Sequence, residues 1–357
     1  MKRLKKEGEV KNLLSNRVFG ELNESVEFSK LNGLMNYQVI AFYCLTKLED
    51  PKLEVARHQE FFRARDLKSR IYISDEGING QMSAHVDFAQ EYMDWLKGDP
   101  RFSSVSFKIH LASEHAFPKA TIKYRAQLVA VDCAVSLENR GEHIAPAEWD
   151  KMLESKDEDT LVIDVRNEYE WEVGHFKGAE LPPLDTFRQF PQYAKQLKED
   201  RDPKKTKVMM YCTGGIRCEY YSAIMKNEGF DQVYQLDGGV IQYGLDEGQG
   251  NWEGKLFVFD DRLVVPISDE AAPSISCCKH CQKPSDVYYN CANMDCNDLF
   301  TSCPDCAKQS RGCCCEACET KGRVRPIADD ANPKPFRKWD HAEKVKLRQS
   351  ANSCSIN

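Results

Sequence analysis

Apolar and polar positions in the N-terminal third of the chain alternate with the periods of strands and helices. This pattern predicts strands at 37–44, 69–74, 81–84 and 105–109, and helices at 51–66 and 87–96. A turn is predicted at the glycine-rich stretch 76–80, and a crossing strand within 121–131. The order βαββαβ predicts a ferredoxin-like α+β sandwich, in which two helices pack on an antiparallel sheet.

The middle of the chain contains a strand, a loop and a helix around one cysteine. The apolar run Val208–Tyr211 predicts a buried strand, and residues 218–227 predict the following helix. Because consecutive glycines let backbone N–H groups surround an anion, while a helix N-terminus and Arg217 lower the pKa of a thiol, we predict that Cys212 and Arg217 are catalytic. The alternative is a buried core cysteine beside a tight turn. The predicted anion cradle consists of Thr213, Gly214, Gly215 and Ile216.

Composition and charge favour a multidomain enzyme without membrane spans. The 357 residues suffice for two or three domains. We find no window of about 18 uninterrupted apolar residues and no signal peptide, so we expect a cytoplasmic protein without membrane contact. The net charge of −7 leaves any nucleic-acid contact to local basic stretches at 2–11, 119–125 and 334–348. Each of these stretches is also typical of a solvated charged surface.

The sixteen cysteines point to metal or redox chemistry rather than to disulfides. Eleven of them lie between Cys277 and Cys318. Four short-spaced pairs can be read from this segment: Cys278 and Cys281, Cys291 and Cys296, Cys303 and Cys306, and Cys315 and Cys318. Eight thiolates suffice for two structural zinc ions. The spacing leaves open whether neighbouring or alternate pairs share an ion, and whether Cys313 or Cys314 replaces Cys315.

Two further motifs flank the cysteine loop. Upstream, residues 161–166 predict a strand that ends in Asp164-Val165-Arg166, and downstream lies the stretch 236–240, Leu-Asp-Gly-Gly-Val. In this order and spacing the three motifs resemble the rhodanese family, whose domain is an α/β sheet with the catalytic cysteine at the start of an active loop. The resemblance implies an active loop from Cys212 to Arg217 that Asp164 and Arg166 support from beneath.

A more specific resemblance extends over residues 37–318. The turn 76–80, the loop 212–219, the segment 252–262 and the cysteine-rich stretch 291–297 look like the tRNA uridine hydroxylases that contain a rhodanese domain. This resemblance implies oxygen-dependent 5-hydroxylation of the wobble uridine of tRNA, with Cys212 as the active cysteine. It also implies that molecular oxygen is a co-substrate and that tRNA is the partner.

The sequence therefore predicts an α/β protein with three domains. We expect an acylphosphatase-like (ferredoxin-like) domain at 37–131, a rhodanese-like domain at 132–265 and a cysteine-rich zinc module at 276–325, flanked by a charged extension at 1–36 and a polar tail at 326–357. No motif for an organic cofactor is recognisable. A sulfurtransferase that carries a persulfide on Cys212 and a noncatalytic scaffold are the alternative functions. The sequence leaves open the oligomeric state and whether Cys218 resolves an oxidised Cys212.

Overall fold

The computed structural model describes residues 35–326, except 132, 134, 183, 185 and 186. Residues 1–34 and 327–357 lie outside the described residues. They include most of the predicted N-terminal extension and C-terminal tail, and the basic stretches at 2–11 and 334–348. The predictions for those segments therefore stay predictions.

The N-terminal domain is a five-stranded sheet that packs against two helices. Its elements are β1 (Tyr37–Leu45), α1 (Pro51–Arg63), β2 (Leu67–Ser74), β3 (Gly77–His85), α2 (Val86–Lys97), β4 (Ser106–Ala112) and β5 (Ala120–Tyr124). The strand order is β4-β1-β3-β2-β5, and all neighbours are antiparallel except β2 and β5. This arrangement confirms the predicted ferredoxin-like sandwich, with β5 added at one edge.

Two boundaries predicted for this domain are wrong. The stretch 76–80 is mostly strand, because β2 and β3 pair from Ser74 and Gly77 onward and leave only two residues for the turn. Gly77 permits the tight connection, since its φ of 133° is accessible to glycine. The strand predicted within 121–131 ends at Tyr124. Beyond it the chain crosses to the central domain, where Val129 and Val131 join the core.

The two faces of the N-terminal sheet have different partners. Ile40 and Phe42 of β1 are buried in the core that the sheet shares with the helices. Because side chains alternate along a strand, Ala41 and Tyr43 face the opposite side. Ala41 packs there against a core cluster of the central domain. Lys108 of β4 is paired directly with Ala41 and lies on the same face.

The central domain is built on a four-stranded parallel sheet in the order β6-β10-β9-β7. Its elements are β6 (Glu142–Ile144), α3 (Pro146–Glu154), β7 (Thr160–Asp164), α4 (Glu168–Trp171), β8 (Gly174–Phe176), α5 (Phe190–Asp200), β9 (Lys207–Tyr211), α6 (Ile216–Asn227), β10 (Gln232–Leu236) and α7 (Gly239–Glu247). The apolar part of β9 is buried on both faces, because helix-lined cores cover the sheet on both sides. Helix α6 begins at Ile216, two residues before its predicted start.

The C-terminal part consists of short elements, of which the last four lie among the cysteines. They are β11 (Trp252–Gly254), β12 (Leu256–Phe257), β13 (Val264–Val265), β14 (Tyr288–Asn290), β15 (Leu299–Thr301), α8 (Pro304–Gln309) and α9 (Glu316–Thr320). Strand β11 pairs with β8 of the central domain. The hydroxyl of Tyr288 donates to the carbonyl oxygen of Tyr169 at 2.6 Å, which attaches the cysteine-rich segment to the central domain. None of the helices in the described ranges has the length and apolar character needed to cross a membrane.

Candidate active site and metal centres

Cys212 lies at the carboxyl end of β9, in the loop that leads into α6. Its Sγ accepts a hydrogen bond from the backbone N–H of Gly215 at 3.1 Å, and the side chain is only 1% exposed. Gly215 has a φ of 101°, which L-residues rarely adopt, so a glycine is needed to turn this N–H toward the sulfur. Of the four residues predicted to form the cradle, Gly215 donates its N–H to the sulfur, and the amino end of α6 faces the thiol.

The surroundings of Cys212 favour a thiolate. Burial by itself raises the pKa of the thiol, but a hydrogen bond from Cys218, the charge of Arg217 and the backbone N–H groups of Cys218 and Gly215 lower it to about 5. Burial and the neighbouring sulfur raise the pKa of Cys218 well above its usual range. Cys218 therefore stays protonated, and its S–H donates a hydrogen bond to the Cys212 thiolate.

Arg217 does not act on the loop as a free cation. Its guanidinium forms a bidentate pair with Glu170, with Nη1–Oε1 and Nη2–Oε2 distances of 2.6 and 2.8 Å. Glu170 is fully buried, and despite burial the charge of Arg217 holds its pKa below the usual range. Nη2 also donates to the hydroxyl of Thr213 at 3.2 Å. The buried pair fixes the end of the loop, and the charge of Arg217 still lowers the pKa of Cys212.

The sequence analysis missed Glu170, although a local signal was present. Asn167 precedes α4 and Glu170 follows three residues later, which is the spacing of a capping box. The Glu170 carboxylate accepts the backbone N–H of Asn167 at 3.0 Å as such a box requires. That spacing predicts a helix start, but it does not predict Arg217 as a partner 47 residues away.

Asp164 and Arg166 lie beneath the loop, where the resemblance placed them. They form a fully buried ion pair, with Arg166 Nη2 at 2.6 Å from Asp164 Oδ2. Arg166 Nη1 donates to the carbonyl oxygen of Glu170 at 3.1 Å, and its guanidinium lies 5.0 Å from the Trp252 ring centroid. The pair thereby holds the segment that carries Glu170, which in turn holds Arg217.

The stretch 236–240, between β10 and α7, packs directly against the cysteine loop. The N–H of Val240 donates to the carbonyl oxygen of Cys212, and the N–H of Ile241 to that of Thr213, both at 3.0 Å. A Cβ at Gly239 would lie 2.6 Å from the carbonyl oxygen of Cys212, so only glycine allows this approach.

Lys108 reaches the loop from the N-terminal domain and was not anticipated. Its Nζ donates to the carbonyl oxygen of Gly214 at 3.2 Å and lies 5.2 Å from the ring centroid of Tyr43. The side chain is only 4% exposed, and burial lowers its pKa. In the sequence, Lys108 is one of the polar positions that alternate with Phe107 and Ile109 in β4. That pattern does not identify the domain on which the lysine docks.

A cavity of about 250 Å³ lies between the polar face of the N-terminal sheet and the cysteine loop. The residues that line it include Cys212, Lys108, Tyr72, Asn79, Gln81 and Phe259. Tyr220 and Tyr221 of α6 are not among the residues that line the cavity, and they serve other contacts. The hydroxyl of Tyr220 donates to Glu76 at 3.0 Å, and Tyr221 stacks on Phe190 with centroids 4.3 Å apart.

The basic stretch 119–125 lies at the rim of this cavity. Lys123 is exposed on β5 and pairs with Tyr72 of β2. The guanidinium of Arg125, also exposed, lies 4.9 Å from the Tyr72 ring centroid. Two cations therefore flank a ring that lines the cavity.

Two groups of four cysteines can each hold a metal ion. The groups are Cys278, Cys281, Cys303 and Cys306, and Cys291, Cys296, Cys314 and Cys318, with all sulfurs of a group within 4.8 Å of one another. Neighbouring sulfurs such as those of Cys281 and Cys303 are 3.8 Å apart. A disulfide requires about 2.05 Å, whereas the edge of a tetrahedral ZnS₄ site is about 3.8 Å for Zn–S bonds of about 2.3 Å. The geometry thus fits a tetrahedral ion and excludes disulfides within these groups.

The arrangement of the groups answers two questions that the spacing left open. Alternate pairs share a site, the first with the third and the second with the fourth. The eighth sulfur belongs to Cys314, so the prediction of Cys315 is wrong. Cys315 precedes α9 and is exposed, whereas Cys314 is buried and lies 3.8 Å from the sulfurs of Cys296 and Cys318.

Comparison with known proteins finds matches in three successive parts of the chain. Three family models match: a UPF0176 acylphosphatase like domain at 37–128, a Rhodanese-like domain at 145–244 and a Rhodanase C-terminal segment at 253–319. A tRNA uridine(34) hydroxylase of Protochlamydia amoebophila is 54% identical over 306 residues, which are 86% of this chain and 95% of the relative. A tRNA uridine(34) hydroxylase of Chlamydia abortus is 51% identical over 325 residues, which are 90% and 99% of the two chains.

Proposed function

This chain belongs to the family of tRNA uridine(34) hydroxylases, and from this premise we propose that it hydroxylates carbon 5 of uridine 34 in tRNA, with Cys212 as the reactive group. One observation carries the assignment to Cys212. Its thiol has a pKa lowered to about 5 and lines a cavity that the N-terminal domain covers. A thiolate in an enclosed site is a nucleophile at neutral pH.

The depth of the site determines how the substrate must be presented. Cys212 is 1% exposed, so a base held in a stacked anticodon loop cannot reach its sulfur. We propose that uridine 34 is unstacked and enters the cavity alone, as in other enzymes that modify single bases. Molecular oxygen is the proposed co-substrate.

The tRNA backbone would bind outside the cavity. Lys123 and Arg125 are exposed at its rim, where phosphates on either side of an inserted nucleotide would pass. Phosphate contacts release counterions, so the affinity for tRNA should fall steeply with salt. The proposed location of the protein is the cytoplasm, where tRNA is available and thiols stay reduced.

The two cysteine groups are proposed zinc sites. Four thiolates at tetrahedral spacing are the ligand set that structural zinc prefers, and they leave no open position for substrate. Because the segment has a small apolar core, metal binding would supply much of its folding free energy. Zinc would thereby hold the surface around Tyr288 against the central domain.

Nucleoside mass spectrometry of a strain that lacks this gene tests the proposed function. The wild-type gene should restore 5-hydroxyuridine and Cys212→Ser should not, because serine has nearly the volume of cysteine but is not anionic near neutral pH. Retained modification by the serine variant would exclude Cys212 as the reactive group.

A sulfurtransferase is the competing function, since the same loop would stabilise a persulfide. Charge reversal at both Lys123 and Arg125 should weaken tRNA modification and leave sulfur transfer from thiosulfate to cyanide unchanged. Efficient thiosulfate turnover without any salt-dependent binding of tRNA would favour the sulfurtransferase.

A further inference from the structure

Two side-chain amides in the cavity form no hydrogen bond with any residue that the structure describes. Asn79 and Gln81 lie two residues apart on β3, so both point to the face of the sheet that covers Cys212. Both line the cavity. Within the described ranges, neither amide forms a hydrogen bond with another residue. Each therefore offers a free donor and a free acceptor to whatever enters.

The strand register places these amides around an open slot. Lys108 of β4, Ala41 of β1 and Gln81 of β3 occupy directly paired positions on three adjacent strands. Strands in a sheet are about 4.8 Å apart, so Lys108 and Gln81 stand on either side of the small Ala41 side chain. In the next row, Asn79 is paired with Tyr43 on one side and Tyr72 on the other. The methyl group of Ala41 leaves space for a flat ring between longer side chains.

Lys108 supplies a cation to this slot. Its ammonium has no carboxylate within 4.0 Å among the residues that the structure describes, and its one hydrogen bond goes to Gly214. Two of its three N–H donors stay available. A cation that is 4% exposed and has no ion-pair partner favours an acceptor in the cavity, since burial without one is costly. Arg217 does not serve this purpose because Glu170 neutralises it.

We propose that Asn79, Gln81 and Lys108 form the base-recognition site, which selects uracil by the edge of its ring. The proposal rests on the proposed function and specifies how that function chooses its base. Uracil presents two carbonyl oxygens around an N3–H, whereas cytosine replaces one oxygen with an amino group and N3–H with an acceptor. Lys108 only donates, so it meets a carbonyl oxygen and disfavours an amino group. The amides, which both donate and accept, pair with N3–H and the other oxygen.

Binding of two tRNA transcripts that differ only in residue 34, one with uridine and one with cytidine, tests the proposal. The variants are the double substitution Asn79→Ala with Gln81→Ala, and Lys108→Met. Because the amides bond no protein group, their removal leaves no partner unsatisfied, and the fold should persist. Gln90→Ala is the matched control, since Gln90 is an exposed amide on α2 that bonds Asp94 outside the cavity.

Wild-type protein and the Gln90→Ala control should bind the uridine transcript at least tenfold more tightly than the cytidine transcript at the same salt concentration. Lys108→Met should bind the two transcripts about equally. The amide double variant keeps Lys108 and should therefore show a smaller preference for uridine than the wild type, while backbone contacts persist in both variants. A purely structural role would weaken both affinities together. If either cavity variant keeps the wild-type ratio while the wild type forms 5-hydroxyuridine, the recognition site is wrong and the proposed function stands. If the wild type forms no 5-hydroxyuridine and does not distinguish the transcripts, the proposed function fails as well.

Discussion

Removing the charge of Arg217 should strongly destabilise the central domain, because Arg217 is buried in the first turn of α6. Arg217→Met leaves the Glu170 carboxylate fully buried without its bidentate partner. Breaking a buried pair in this way costs about 3–5 kcal/mol. For a domain of about 130 residues, each kcal/mol lowers the melting temperature by roughly 4 °C, so the transition should fall by about 12–20 °C.

A second substitution separates the cost of the stranded Glu170 carboxylate from the cost of losing the arginine side chain. Adding Glu170→Gln to Arg217→Met removes the stranded charge and should recover more than half of the lost stability. Thermal unfolding followed by circular dichroism measures both variants. Arg63→Met is the control, because Arg63 forms an exposed pair with Glu60 and its loss should shift the melting temperature by no more than about 2 °C.

Two results would refute this reasoning. One is an Arg217→Met protein that melts within about 2 °C of the wild type, since Glu170 would then not need its partner. The other is a double variant no more stable than the single one, since the cost would then come from lost packing rather than from a stranded carboxylate. The first result would leave the Cys212 thiolate as the main partner of the Arg217 charge.

The remaining predictions concern Cys212 and the metal sites. Because the pKa of Cys212 is lowered to about 5, its alkylation by iodoacetamide, followed by peptide mass spectrometry, should rise between about pH 4 and 6 and level off above. A rate that keeps rising to pH 8 would contradict a stabilised thiolate. Purified protein should contain two zinc ions per chain by elemental analysis, and Cys314→Ser should lower this number toward one, whereas Cys315→Ser should leave it at two. Equal losses in both variants would disprove the choice of Cys314.

The sequence predicted best those parts of the site that lie close together in the chain. The loop from Cys212 to Arg217 follows a buried strand and precedes a helix, so its conformation depends on local residues. The glycines at 76–80 led to the wrong prediction of a turn. Gly80 lies inside β3, where an added Cβ would lie 2.4 Å from the Phe42 ring. Glycine there serves packing between strands rather than a turn.

The missed residues act across distances that no local pattern contains. Lys108 becomes part of the site only because the N-terminal sheet docks on the central domain. Glu170 carried a recognisable capping signal, but its pairing with Arg217 follows from the position of α4 beside the loop. The choice between Cys314 and Cys315 depends on which sulfur the start of α9 turns inward, which consecutive cysteines in a sequence cannot specify.

The hydrogen bond from Lys108 to Gly214 joins two domains at the floor of one cavity. A second bond between the same domains links the hydroxyl of Tyr43 to Glu219 at 2.8 Å. The largest contributions that lower the pKa of Cys212 come from the central domain, whereas the amides above it belong to the N-terminal domain. The reactivity of Cys212 and the selection of the base thus depend mainly on different domains. Substitutions on the sheet can redirect the enzyme to another base without weakening the nucleophile, and a central domain cut free of its neighbour would be a reactive thiol with no preference for a base.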